Sequence, residues 1–166
     1  MSLEALLAGN AGSPADAYRR YRIVVTAYNT AAAVIISELE LINEQGQNVG
    51  TTGTPFASSY YNASFYPQYA FDGQWPVYSN TPGKAWQTNT PAPQYLGTTL
   101  SAPVKLSRYG IRYPESIGST AAGYYPNSWR IEGSNDGTNW VKLHEVTSYT
   151  SDVWLSKTYH TWDIPA

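Results

Sequence analysis

His144 and His160 are the only histidines in the chain, and neither has the HExxH spacing that sets two imidazoles and a carboxylate around zinc. No serine stands in a nucleophile-elbow motif. Cysteine is absent, which excludes thiol nucleophiles, thiolate zinc sites and disulfides. Glycoside hydrolysis needs two carboxylates flanking a cleft, and the twelve acidic residues show no such pairing. The glycines fall in turns and form no phosphate cradle. The expectation is a protein without catalysis of its own.

The residues that do gather are aromatic. Fifteen Tyr and six Trp stand beside three Phe and one Met. Tyr and Trp offer a flat apolar face with a hydrogen-bonding tip, which suits strands and also surfaces that stack on sugars or on other proteins. Residues 59–86 hold Tyr60, Tyr61, Phe65, Tyr66, Tyr69, Trp75 and Tyr78, with Pro67, Pro76 and Pro82. Residues 114–126 hold Tyr124 and Tyr125 among small residues. Connections this long in a compact domain are usually functional or disordered. Aromatic density argues against disorder, so both read as binding loops carried on a rigid scaffold.

That scaffold must be built of strands. At 166 residues the chain fits one domain with a sizeable core. Residues 1–17, small and rich in Ala and Gly, read as a linker or short stub, leaving 18–166 as the domain. Strand-like runs follow at 21–28, 34–42, 95–100, 104–113, 128–133, 140–146 and 158–164. In the second run Ile36, Glu38 and Glu40 share one face, and Ile35, Ser37, Leu39 and Leu41 the other. Asp136-Gly137 supplies hairpin-turn chemistry between 129–132 and 140–143. Many short strands without intervening helices predict an all-β, antiparallel β-sandwich of about eight core strands.

Charge narrows the partners. Charged residues make up 13% of the chain and the net charge is −2. Arg19, Arg20 and Arg22 are the one basic cluster, too small a footprint for phosphate neutralisation, so no nucleic-acid partner is expected. No apolar stretch approaches the length of a membrane span. The N-terminus lacks a signal peptide's basic region, and 3–8 is too short for its apolar one.

Four motifs resemble the discoidin, or coagulation factor V/VIII type C, family of galactose-binding-like β-sandwiches. They are Ala57-Ser58-Ser59; Ala70-Phe71-Asp72-Gly73 with Trp86; Tyr95-Leu96-Gly97 with the run 104–113; and Trp129-Arg130-Ile131-Glu132-Gly133-Ser134-Asn135-Asp136-Gly137 through Trp140. The resemblance implies a jelly-roll sandwich. Two further pieces, Tyr18-Arg19-Arg20-Tyr21-Arg22-Ile23 and Ile36-Ser37-Glu38-Leu39-Glu40, are similar to the pair that usually closes such a domain, yet here they come first. The order reads as a circular permutation, easy where termini lie close together, and looks like that of discoidin-like modules in bacteriophage tails and fibres.

The resemblance also implies roles for residues. A structural calcium ion would be held by Asp72 and Glu38, with Gln74 where Asn is commoner and backbone carbonyls completing the shell. Ligand would meet the loops at one end of the sandwich: Tyr60, Tyr61, Tyr66, Trp75, Tyr78, Tyr124 and Tyr125 by their rings, with Asn62, Gln68, Asn80 and Arg112 bonding sugar hydroxyls. These loops are poor in Lys and Arg, which speaks against insertion into lipid. The leading expectation is a carbohydrate-binding module on a phage tail or fibre, in a virion or otherwise extracellular, that holds a bacterial surface glycan. The rival is a virion decoration or assembly module whose loops bind other virion proteins, with oligomerisation left open. A third reading is the accessory domain of a polysaccharide-degrading enzyme.

Overall fold

The structure is a computed structural model that describes residues 16–29, 33–74, 85–114, 124–149 and 159–166. The expected contacts Trp75, Tyr78 and Asn80 and residues 1–15 of the stub expected at 1–17 lie outside the described residues, while Ala17, placed in that stub, opens the first strand. Among the described residues nine strands run in chain order: β1 (Ala17–Tyr28), β2 (Val34–Ile36), β3 (Glu38–Asn43), β4 (Thr54–Ala57), β5 (Trp86–Thr88), β6 (Gln94–Arg112), β7 (Pro126–Ser134), β8 (Val141–Val146) and β9 (Tyr159–Asp163). All pairings among these strands are antiparallel, and the chain is an all-β sandwich. Among the described residues no helix is long and apolar enough to cross a membrane.

β6 is the strand that joins the layers. Its first half pairs with β4 and β1, and β1 continues the sheet to β7 and β8; its second half pairs with β3 and β9. Side chains alternate across a strand, so one register row carries Leu96, Ile23 and Ile131 side by side on β6, β1 and β7, all three fully buried. In the other layer Leu39 stands opposite Ile111, and Leu41 opposite Tyr109, again without exposure. Trp86 and Trp129 complete the core. Each such side chain stabilises the fold by roughly 1.5–3 kcal/mol through burial.

The outward face of the larger sheet is packed as well. Glu132, nearly buried, accepts from Arg22 at 2.6–2.7 Å and also from Arg130. The Arg22 guanidinium lies 3.9 Å from the Trp140 ring centroid and 5.1 Å from that of Tyr95, a cation–π arrangement. One member of the basic cluster is thus bound up within the protein's own surface.

Several elements differ from expectation. The runs 95–100 and 104–113 are one strand, because the extra residues between them are absorbed as a bulge: Arg20 pairs with Thr99 while Tyr18 pairs with Val104. The run 34–42 divides at Ser37, where β2 leaves to pair with β5 and β3 continues against β6. The alternation there does not give a wet face, since Glu38 is fully buried along with Ile35, Ile36 and Leu39. β4 and β5 are too short, and β4 too interrupted by Pro55, to show a period of two.

Candidate functional site

The first aromatic loop leaves β4 through Ser58 and Ser59 and is anchored at its root. The Ser59 hydroxyl meets Thr88 Oγ1 at 2.6 Å, Thr90 Oγ1 at 2.9 Å and Gln94 Oε1 at 2.7 Å. Its carbonyl accepts from the indole N–H of buried Trp86 at 2.9 Å. Ser58 N–H donates to the Tyr95 carbonyl and Tyr61 N–H to the Gln87 carbonyl, at 2.9 and 2.7 Å. The backbone beneath Tyr60 and Tyr61 is therefore fixed, while their side chains face solvent.

Tyr60 is 48% exposed and Tyr61 50%, and with Val141 they are the large apolar residues most exposed among those described. Each is braced from one side. Tyr66 meets Tyr60 edge-on at 4.6 Å, and Phe65 lies 5.9 Å from Tyr61. Contact with the Tyr66 hydroxyl raises the Tyr60 phenol above its ordinary range. Asn62 stands exposed, its side-chain oxygen accepting Ser64 N–H at 2.9 Å to cap the 3-10 turn Ala63–Phe65. A second 3-10 turn, Pro67–Ala70, exposes Gln68 and buries Ala70 and then Phe71 in the core, ending the loop. Tyr60, Tyr61, Asn62 and Tyr66 are thus brought together.

The second aromatic loop reaches the same support. Ile35 N–H donates to the Tyr124 carbonyl at 2.8 Å, and Ile35 is the ladder partner of Gln87. One two-stranded ribbon, β2–β5, therefore holds Tyr61 through β5 and Tyr124 through β2. Tyr124 is half-buried. Tyr125 corrects the expectation of a ligand contact: it has no exposed surface, its ring packs edge-on against Tyr113 at 5.8 Å, and its hydroxyl takes Asn29 Nδ2–H at 2.5 Å. Consecutive residues leaving a strand point opposite ways, so only one of the pair can face outward.

Arg112 is used elsewhere. Its Nε bonds Glu40 Oε1 at 3.1 Å, and its guanidinium lies 3.7 Å over the Tyr159 ring, whose hydroxyl donates to Glu40 Oε2 at 2.5 Å. Burial, followed by that bond to Glu40, pushes the Tyr159 phenol up to about 12. This arrangement ties β3, β6 and β9 together and commits Arg112 to the scaffold.

The loop 70–74 lies against β3. Glu38 Oε1 accepts Gly73 N–H at 3.1 Å, Gly73 adopting φ 71°, and Asp72 Oδ1 accepts Gln74 N–H at 2.8 Å. Asp72 and Gln74 are exposed. Glu38 Oε2 is buried without a hydrogen-bond partner. Burial, reinforced by nearby Asp72 and Glu40, pushes the Glu38 carboxyl up to about 8, although Gly73 N–H and Arg112 oppose the shift. No group of three or more His, Asp or Glu gathers as a metal cluster among the described residues.

Both histidines sit in hydrogen bonds to tyrosines, His144 to Tyr109 and His160 to Tyr149, each at 2.9 Å. Residues that the composition did not mark as functional (Ser59, Thr88, Thr90 and Gln94) prove to be the support of the exposed loop. Ser59 stood in the Ala57-Ser58-Ser59 motif; the signal of the others was a density of hydroxyl and amide side chains around β5.

No curated protein and no solved structure matches the chain. A family model for the F5/8 type C domain matches residues 56–166, from within β4 to the end and including the exposed loop, Trp86 and the Asp136-Gly137 turn, and the chain belongs to that family.

Proposed function

We propose that this chain is a non-catalytic carbohydrate-binding module whose ligand stacks on Tyr60 and Tyr61. One observation carries the reading: two adjacent, half-exposed tyrosines stand on a backbone pinned at Ser59 and Tyr61. Exposed rings on a pinned backbone are ready to bind with little ordering cost. Tyr66 braces Tyr60 and Phe65 braces Tyr61, Asn62 follows them in the chain with its side chain exposed, and Tyr124 is held by the same ribbon.

Calcium enters the proposal as a structural ion. The residues fit a hard cation: a buried carboxylate oxygen of Glu38 lacks a partner, the Asp72 side chain stands two residues before Gln74 in the adjoining loop, and oxygen is the donor such an ion takes. Bound there, it would neutralise Glu38 and fasten the 70–74 loop to β3.

The proposed setting is a phage tail or fibre carrying several copies that grip a bacterial surface glycan. The support for it is the order of the chain, in which β1 and β3, similar to the closing strands of such domains, precede the matched span. Copies acting together strengthen weak single contacts by orders of magnitude. The test is a glycan array probed with the domain multimerised on a carrier, in calcium and in chelator. Retention of a defined set of glycans is expected, weaker in chelator. Absence of binding by the multimer to every bacterial and host glycan on the array would defeat the reading and favour protein partners.

A further inference from the structure

We propose that His144 is a proton-operated latch that fastens β8, the end strand of the larger sheet, to the β6–β9 side of the sandwich, and that acidification opens it. The chain of donors dictates its chemistry. The Trp129 indole N–H on β7 can only donate, and it donates to the Tyr109 hydroxyl on β6 at 3.0 Å. That hydroxyl has its own hydrogen still to place. Both Tyr109 and Trp129 are without exposed surface, so water does not serve, and the partner within reach is His144 Nδ1 at 2.9 Å. His144 is therefore held neutral, with Nδ1 accepting and its proton on Nε2. A second proton would sit on Nδ1, turn two donors toward one buried oxygen and strand the Tyr109 hydrogen. Buried polar groups without partners are costly.

Among the described residues, apolar and aromatic side chains surround this network. Ile131 stands opposite His144 on β7, and Trp162 of β9 stacks on Tyr109 at 5.2 Å and meets Trp129 edge-on at 5.0 Å. Among the described residues, the charged groups on the packed elements are held in ion pairs: Lys142 with Glu145 on β8, Arg130 and Arg22 with Glu132, and on β6 Arg108 with Asp163, Lys105 with Glu44 and Arg112 with Glu40. The other titratable groups in the cluster among the described residues are Tyr149 and His160, which share a hydrogen bond. Burial lowers His144 below its ordinary range. The unfolded chain then takes up the proton first, so stability is lost as pH falls from about 6.5 toward the folded value, by up to about tenfold in the folded-to-unfolded ratio per pH unit.

The test pairs histidine-labelled NMR of the whole chain with urea unfolding at about pH 7 and about pH 5.5, for wild type and His144→Asn. The Asn amide oxygen can accept the Tyr109 hydrogen and cannot be charged. We expect the Nε2–H tautomer, titration below the ordinary histidine value, and a several-fold acid-induced loss of folding equilibrium that the variant largely escapes. An Nδ1–H tautomer, titration at or above the ordinary value, or equal acid sensitivity in both proteins overturns the latch. If the variant does not fold, the tautomer and titration of wild-type His144 decide alone.

Discussion

Tyr60 and Tyr125 are the same residue type in two loops that look alike as sequence, yet one ring is half exposed and the other is sealed in the core. Composition marked both loops as aromatic but could not sort their rings, because exposure depends on which way each residue leaves its strand. The difference is measurable in urea. Tyr60→Ala or Tyr61→Ala should change stability by no more than about 0.5 kcal/mol, as for other surface substitutions, whereas Trp86→Ala should cost about 3–5 kcal/mol. A comparable cost at Tyr60 would mean that its ring is structural. Glu38 is a second case: alternation set it on one face with Ile36 and Glu40, and only the fold reveals its unpartnered buried oxygen. A carboxyl raised to about 8 makes the calcium-free fold lose stability as pH climbs from the ordinary 4.5 through 8. Glu38→Gln should remove that loss in chelator. Added calcium should raise the melting temperature of wild type and leave that of the variant unmoved; an equal rise in both would place any ion elsewhere.

At the scale of elements, the long strands were legible and the short ones were not. β1, β7, β8 and β9 fall where apolar alternation placed them, to within a few residues. β5 escaped notice, being three residues with no room for a period, yet it is the element that supports the site. Its Gln87 carbonyl takes Tyr61 N–H, and across the ladder Ile35 N–H reaches the Tyr124 carbonyl. Hydrogen exchange should therefore find the amides of Tyr61 and Ile35 protected, although the Tyr61 ring faces water. Exchange at Tyr61 as fast as in a free loop would show that the ribbon does not hold it. Ser59→Ala removes the hydroxyl at the centre of the support and should cost about 1 kcal/mol or somewhat more, read as a shift of the urea midpoint.

Across the whole molecule, the fold class could be read from the chain, but the strand order could not. Pairing β1 between β6 and β7 joins Ile23 to Leu96 and Ile131 across long separations, and local pattern holds no record of such contacts. Because β6 belongs to both layers, neither has its own complete set of pairings. Gly97, where β6 passes between β1 and β4, has no space for a side chain: a Cβ there would stand 2.5 Å from the Tyr21 carbonyl oxygen and from the Phe56 ring. Gly97→Ala should destabilise by about 1–3 kcal/mol through overpacking, lowering far- and near-ultraviolet circular dichroism transitions together, as one cooperative unit does. This scaffold holds the rings of Tyr60 and Tyr61 outward. The most direct measurement is the multimerised glycan array repeated with Tyr60→Ala Tyr61→Ala, at matched melting temperature. Every glycan retained by wild type should fall at least about tenfold, the effect of some 1.4 kcal/mol. Full retention by the double variant would contradict it and move the binding surface away from this loop.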